Sequence, residues 1–329
     1  MRFGLIGCGH IAKKHCRCLT KIPTAELTAL CDLSPERARA LAPKNATIYT
    51  NFQTLLQSEL DVVIIATPSG LHKEMVLAAA AAKKHILVEK PMALNAEETK
   101  EMLHACKAAN VKLAVVHPNR FRPAMQVVQQ QLTAGNFGKL GYAKASVLWY
   151  RGQEYYDQAN WRGTHAMDGG VLLNQAIHSL DLLTWLLGEV EEVQAQFSTR
   201  VRQIEAEETA LAFLKFKSGL LGLLEATVTA YPKNFAETIA IFGDEGAAVI
   251  SGPTATGITR WEFAKATKKP VLPKQDGDEG LLAIIANLIL AIKEDHTPIV
   301  SGLDGHQVLA IASAINQSAK QNMVVKVKY

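Results

Sequence analysis

Residues 2–12 read Arg2-Phe3-Gly4-Leu5-Ile6-Gly7-Cys8-Gly9-His10-Ile11-Ala12: a short apolar run, two glycines one residue apart, and the opening of a helical segment. A strand that ends in Gly-x-Gly and passes straight into a helix gathers unpaired N–H groups and the positive end of the helix dipole around one point, which suits a phosphate. Gly7 permits the tight turn, Gly9 lets a pyrophosphate approach the backbone, and Ala12 keeps the helix close to the sheet. His10 and Ile11 belong to the same phosphate-facing turn.

The rest of the N-terminal third agrees with that reading. Strand-like runs recur at 2–6, 26–31, 47–49, 61–67, 85–89 and 112–117, with helical segments between most of them, and Ser34-Pro35 and Asn95 are helix-start signals. The run Val62-Val63-Ile64-Ile65-Ala66 is apolar without alternation, as in a strand buried on both faces. A doubly wound parallel sheet of the Rossmann type, over residues 1–118, is the expected outcome.

After His117 the rhythm changes. A helix over 123–134 leads through Gly135-Asn136 to a strand at 142–150, a polar and aromatic stretch to Asp168, and a long helix over 171–187 ended by Gly188. Strands at 193–200, 209–216, 220–229 and 238–242 follow with short turns, then helices at 280–294 and 304–320 and a strand at 324–327. Consecutive strands on short turns give a mostly antiparallel, open sheet. Residues 119–329 are expected to form an α+β domain for substrate binding and oligomerisation.

Asp32 closes the second strand, where a carboxylate reaches both hydroxyls of a ribose, and Leu33 and Ser34 supply no cation for a 2′-phosphate. NAD is therefore expected rather than NADP; a cap for the helix after Ser34-Pro35 is the alternative use of Asp32. Thr67, Pro68, His72 and Glu89, at the carboxyl ends of the fourth and fifth strands, are expected to line the cofactor cleft.

Val88-Glu89-Lys90-Pro91, taken with residues 7–12, Ala66-Thr67-Pro68 to His72, and the helix from Gly169 to Asp181, resembles the glucose-fructose oxidoreductase/inositol dehydrogenase family, Gfo/Idh/MocA. The resemblance implies a dehydrogenase in which Lys90 is a catalytic lysine that also meets the cofactor. The family's helix pattern GGGxxxDxGxHxxD matches at His178 and Asp181, but its first aspartate is Asn174 here, which cannot take and hold a proton. Trp149-Tyr150-Arg151, Tyr155-Tyr156, Trp161-Arg162-Gly163-Thr164 and Asn174-Gln175 resemble the branch acting on nucleotide-linked amino-sugar uronates.

Asn174, His178 and Asp181 fall on one stripe of a helix whose other faces are leucine and isoleucine. A polar stripe on a buried helix needs partners or a cavity. The expected chemistry has His178 accepting a hydroxyl proton while hydride leaves the same carbon for nicotinamide C4, with Lys90 stabilising the charge on oxygen and Asn174 orienting the hydroxyl. Asn119, Arg120, Trp161, Arg162 and Gln175 are the further substrate-binding candidates.

The composition, 48% hydrophobic and 20% charged with a formal charge of +4, is that of a globular chain without a concentrated basic face, so neither nucleic acid nor membrane is an expected partner. Five cysteines, odd in number and without CxxC spacing, support neither a disulfide framework nor a metal site. Met1-Arg2 runs directly into the first strand without an export signal, and a cytoplasmic homodimer or homotetramer is expected. Two rival readings are a cyclitol or simple-sugar dehydrogenase and a non-catalytic dinucleotide-binding regulator.

Overall fold

The computed structural model describes residues 1–265 and 267–329. Six strands, β1 (Arg2–Ile6), β2 (Glu26–Cys31), β3 (Thr47–Tyr49), β4 (Val62–Ile65), β5 (His85–Val88) and β6 (Leu113–Val115), form one sheet in the order β3-β2-β1-β4-β5-β6. Every pairing in it is parallel. Around these strands run α1 (Ala12–Thr20), α2 (Pro35–Arg39), α3 (Phe52–Leu56), α4 (His72–Ala81) and α5 (Ala96–Ala109). The strand order reverses between β1 and β4, the point at which open sheets of this kind hold ligands beyond their carboxyl ends.

Local chemistry explains the elements. All four residues of β4 are buried, and burying each such aliphatic side chain stabilises the fold by roughly 1.5–3 kcal/mol. Asn95 caps α5 by accepting from the Glu98 N–H at 2.9 Å, Glu97 and Glu98 complement the positive helix start, and Asn110 ends the helix in the left-handed conformation.

After α6 (Pro123–Thr133), a second sheet is built from β7 (Leu140–Leu148), β8 (Val190–Ser198), β9 (Thr209–Phe216), β10 (Leu221–Thr227), β11 (Ala236–Gly243), β12 (Gly246–Ser251), β13 (Gly257–Phe263) and β14 (Val325–Lys326). Its order is β13-β12-β11-β7-β10-β9-β8-β14, antiparallel throughout except where β10 pairs with β7. The expected class, a Rossmann sheet plus a large, mostly antiparallel open sheet, is what the chain forms. The remaining helices are α7 (Gln153–Asp157), α8 (Ile177–Leu187), α9 (Glu279–Lys293) and α10 (Gly302–Gln321).

Two differences from the sequence reading have physical causes. β12 and β13 were not expected, because the small residues Gly246-Ala247-Ala248 and the glycine at 257 mask the strand pattern. Contacts also divide the chain into Met1–Pro118 with Gln275–Leu309, and Asn119–Lys274 with Ala310–Tyr329, whereas the linear reading placed all of 119–329 together. The return of 275–309 rests on Asp278: its carboxylate is 3% exposed and takes two bonds from Arg17 and one from Lys21. Those cations on and after α1 hold the Asp278 carboxyl well below the usual range. Among the described residues no helix is long and apolar enough to cross a membrane.

Candidate active site

In the first unit the glycine turn has the geometry its sequence demands. Gly7 sits at φ +91°, and a Cβ there would lie 2.6 Å from the Ala66 carbonyl oxygen, so only glycine lets β1 and the end of β4 approach so closely. Gly9 and His10 are exposed, Ile11 is half-buried, and Ala12 is fully buried against the sheet. Asp32 stands beside this turn: one carboxylate oxygen accepts the Cys8 N–H at 2.8 Å and the other the Ser34 N–H at 2.9 Å. Asp32 thus shapes the turn that it was expected to serve.

Thr67 and Pro68 follow β4, half-buried, at the same end of the sheet. His72 has no exposed surface; its Nδ1 lies 2.9 Å from the Pro91 carbonyl and its Nε2 3.0 Å from the Thr67 carbonyl. It was expected to line the cleft; it packs between the loops after β4 and β5, and as a neutral ring it donates its single N–H to one of the two carbonyls. Burial pushes its pKa below the ordinary 6.5.

Glu89 is 7% exposed, and one of its oxygens meets Nε2 of the fully buried His15, on α1, at 2.8 Å. Its other oxygen accepts the Lys90 backbone N–H at 3.2 Å. His15 and the neighbouring lysine hold the Glu89 carboxyl below its ordinary value against the opposing effect of burial. Lys90 itself is half-buried at the carboxyl end of β5, joined to Pro91 by a cis peptide bond.

In the second unit the candidates gather around the start of α8. Residues Leu172–Ala176 form a π-type turn that runs into α8, a wider coil found often at functional sites. It carries Asn174, half-buried, and Gln175, buried, and His178 follows, half-buried, on the first turn of α8. The Asn174 amide donates to Asp168, whose other oxygen accepts the Gly163 N–H at 2.7 Å. Gly170, at φ +74°, leaves room for Glu207, which accepts the Leu172 N–H at 2.9 Å and whose pKa is pushed up to about 7 by burial.

One expectation changes here. Arg120 was expected to reach substrate, but its guanidinium grips the Asp181 carboxylate with Nε at 3.0 and 3.1 Å and Nη2 at 2.6 Å, both side chains buried. A fork spent in that way fastens the start of the unit to α8. Asn119 is buried beside it in sequence, and Arg122 is bonded to Glu237 and the Thr254 carbonyl. Trp161 and Arg162 stack on one another, with the guanidinium 4.9 Å from the indole centre.

His15, Asp168 and Glu207 were missed. His15 had a usable signal, since it lies three residues after Ala12 and so on the sheet-facing side of α1, where an imidazole needs a partner. Among the described residues no group of three or more His, Cys, Asp or Glu side chains could hold a metal.

Comparison with known proteins supplies the family. Residues 1–117 match the oxidoreductase family with an NAD-binding Rossmann fold, and residues 125–249 match the GFO/IDH/MocA C-terminal domain. The WlbA dehydrogenase of Bordetella pertussis, solved with NADH and UDP-GlcNAcA, is 37% identical, with a TM-score of 0.93 over 100% of this chain and 98% of that one. A levoglucosan dehydrogenase solved with NADH and levoglucosan gives 26% identity and a TM-score of 0.91 over all of both chains. Myo-inositol 2-dehydrogenase of Thermotoga maritima is 27% identical over 100% of this chain and 99% of its own length.

The burial of His72 carries a pH dependence. The imidazole is held neutral in the fold, so the unfolded chain binds the extra proton; its stabilisation is complete above the unfolded value of 6.5 and is lost as pH falls below it. Thermal unfolding should show Tm falling between about pH 7.5 and about pH 5.5, and His72→Gln should be less stable at the upper end with a shallower slope. Equal slopes for the two proteins would remove His72 from this role.

Proposed function

The chain belongs to the GFO/IDH/MocA family of NAD-binding oxidoreductases, and from that premise we propose that it transfers hydride between a sugar carbinol and nicotinamide C4, with Lys90 and His178 handling the oxygen and its proton. The observation that carries this reading is the placement of Lys90. A lysine at the carboxyl end of β5, its backbone N–H fixed by a buried carboxylate, stands at the end of the parallel sheet where the dinucleotide binds.

When bound, NAD supplies the hydride acceptor; the chain supplies position and proton transfer. Gly7, Gly9, His10, Ile11 and Ala12 form the phosphate seat at the start of α1, and Asp32 faces the ribose side of it. His178 would take the hydroxyl proton as the C–H electron pair leaves the carbinol carbon as hydride, so that the substrate becomes a carbonyl and the protonated imidazole returns its proton to solvent. The Lys90 ammonium donates a hydrogen bond to the same oxygen as its negative charge develops. Asn174, its amide N–H tied to Asp168, presents its carbonyl oxygen as acceptor for a substrate hydroxyl.

For substrate we propose a nucleotide-linked sugar acid. The support is the likeness to the B. pertussis protein solved with UDP-GlcNAcA, together with Asn174-Gln175 and the Trp161-Arg162 loop. The likeness to myo-inositol 2-dehydrogenase supports a cyclitol as the second reading.

The open face of the second sheet supports a homo-oligomer. Leu211, Phe213, Leu221 and Tyr142 are exposed on neighbouring strands of one face, with Phe213 beside Leu223 and Leu221 beside Tyr142 in register. Water-exposed apolar side chains aligned in this way suit a partner surface, and the occupant proposed is a second copy of the chain.

Purified protein with NAD and UDP-GlcNAcA, followed at the absorbance of NADH, is expected to turn over. Lys90→Ala and His178→Ala should each lose about 100-fold or more in kcat while keeping NAD affinity within about threefold. Wild-type turnover in either variant removes that residue from the reaction. In light scattering the wild-type mass should be a multiple of the chain mass and Phe213→Glu should lower it; a monomeric wild type would end the oligomer proposal.

A further inference from the structure

The loops around α7 hold three arginines that lie over aromatic rings. Arg162 lies 4.1 Å from the centre of the Tyr155 ring and 4.9 Å from that of Trp161. Arg151 lies 5.1 Å from Trp149 and 5.4 Å from the same Tyr155, and Arg202 lies 5.3 Å from Tyr150. Arg202 Nε donates to the Arg151 carbonyl at 2.6 Å, so the last two are bonded neighbours. Among the described residues no carboxylate pairs with any of the three.

Carboxylates are present nearby and are used otherwise. Glu208 accepts the backbone N–H groups of Arg200, Val201 and Arg202 at 2.7 to 2.8 Å. Asp168 takes the Gly163 N–H and the Asn174 amide, and Glu205 accepts the His165 N–H at 3.1 Å. These loops therefore have rigid backbones anchored by acids and arginines laid flat on aromatic rings. A guanidinium stacked in this way keeps its planar fork oriented without spending its N–H groups.

Most of those N–H groups have no acceptor among the described residues. The side-chain nitrogens of Arg162 meet no acceptor among the described residues, and its Nε is closed off from solvent, as is the Trp149 indole nitrogen. Arg202 commits only its Nε, and Arg151 commits only Nη1, to the Tyr150 carbonyl and the Asn234 side chain. Buried donors without acceptors are costly unless something else supplies the oxygen. At the edge of the cluster Tyr231, 81% exposed, stands edge-to-face on Tyr150 with ring centres 5.6 Å apart.

We propose that this cluster is a nucleoside diphosphate subsite: Arg162 and Arg202 bind the diphosphate, and Tyr231 offers its exposed ring to the base. The assignment rests on the sugar-nucleotide reading above and names the part of the protein that selects for it. The diphosphate is a better match than a single carboxylate, because two forks on separate loops present donors to more than one anionic group. The subsite is linked to the candidate chemistry through Asp168, which bonds both Gly163, next to Arg162, and Asn174, four residues before His178. Anchoring energy there would position the sugar for reaction rather than take part in it.

The test is calorimetric titration of protein saturated with NAD, which keeps the cofactor's own phosphate seat filled, using UDP, uridine and inorganic pyrophosphate as probes. Wild type should bind UDP; Arg162→Gln and Arg202→Gln should each weaken it about tenfold or more, with unchanged NAD affinity and cooperative thermal unfolding retained. Tyr231→Ala should weaken UDP and leave inorganic pyrophosphate alone, and Arg162→Lys, which keeps charge but loses the fork, should recover only part of the loss. Absence of UDP binding, or equal binding in both arginine variants, overturns the subsite. Turnover of a sugar with that result leaves the hydride-transfer reading standing, whereas arginine-dependent UDP binding without turnover of any sugar nucleotide does the reverse.

Discussion

A carboxylate sealed inside a protein has to be given donors, and the way Glu89 is satisfied fixes the geometry of the first unit. Its partners are the buried imidazole of His15, 2.8 Å away on α1, and the backbone N–H of Lys90. Removing the imidazole would leave a buried carboxylate short of a donor, a change that costs roughly 3–5 kcal/mol. The helix that opens at the glycine turn and the lysine at the end of β5 are consequently parts of one rigid arrangement. The backbone of Lys90 is thus tied through Glu89 to the helix that opens at the glycine turn, and the role proposed for the lysine rests on that placement.

The second unit solves a similar problem differently. Its acids are spent on organising backbone and on fastening elements: Asp181 holds Arg120, Glu208 holds the loop at 200–202, and Glu207 holds the start of the π-type turn. The functional candidates are the half-buried groups that this scaffolding supports, Asn174 and His178 on the helix and the ring-stacked arginines on the loops. Asn174, whose amide is oriented by the Asp168 carboxylate, carries no titratable proton, so the proton-transfer role in the proposal falls to His178.

What could be read from the residues followed the range of the interactions. The glycine turn, the six parallel strands and the long helices are local patterns of apolar spacing and capping, and all were legible. Features made by distant partners were not: His15 and Glu89 are 74 residues apart, and Arg17 and Asp278, which bring 275–309 back to the first unit, are 261 apart. Arg120 looked like a substrate contact because nothing in its neighbourhood announces Asp181, 61 residues later. Nor does the sequence around His72 announce that its ring is buried against the carbonyls of Thr67 and Pro91, the latter 19 residues away. Lys90 and His178 carry proposed roles on their placement in separate units, joined by the chemistry they would share.

That sharing is the central claim, and a double-mutant cycle tests it most directly. Single-turnover hydride transfer from UDP-GlcNAcA to bound NAD would be timed for wild type, Lys90→Ala, His178→Ala and the double variant. Two groups acting on one oxygen in one step should be strongly coupled, with the double variant slower than the slower single variant by no more than about threefold. Losses that multiply would show the lysine and the histidine acting independently, and would contradict the account.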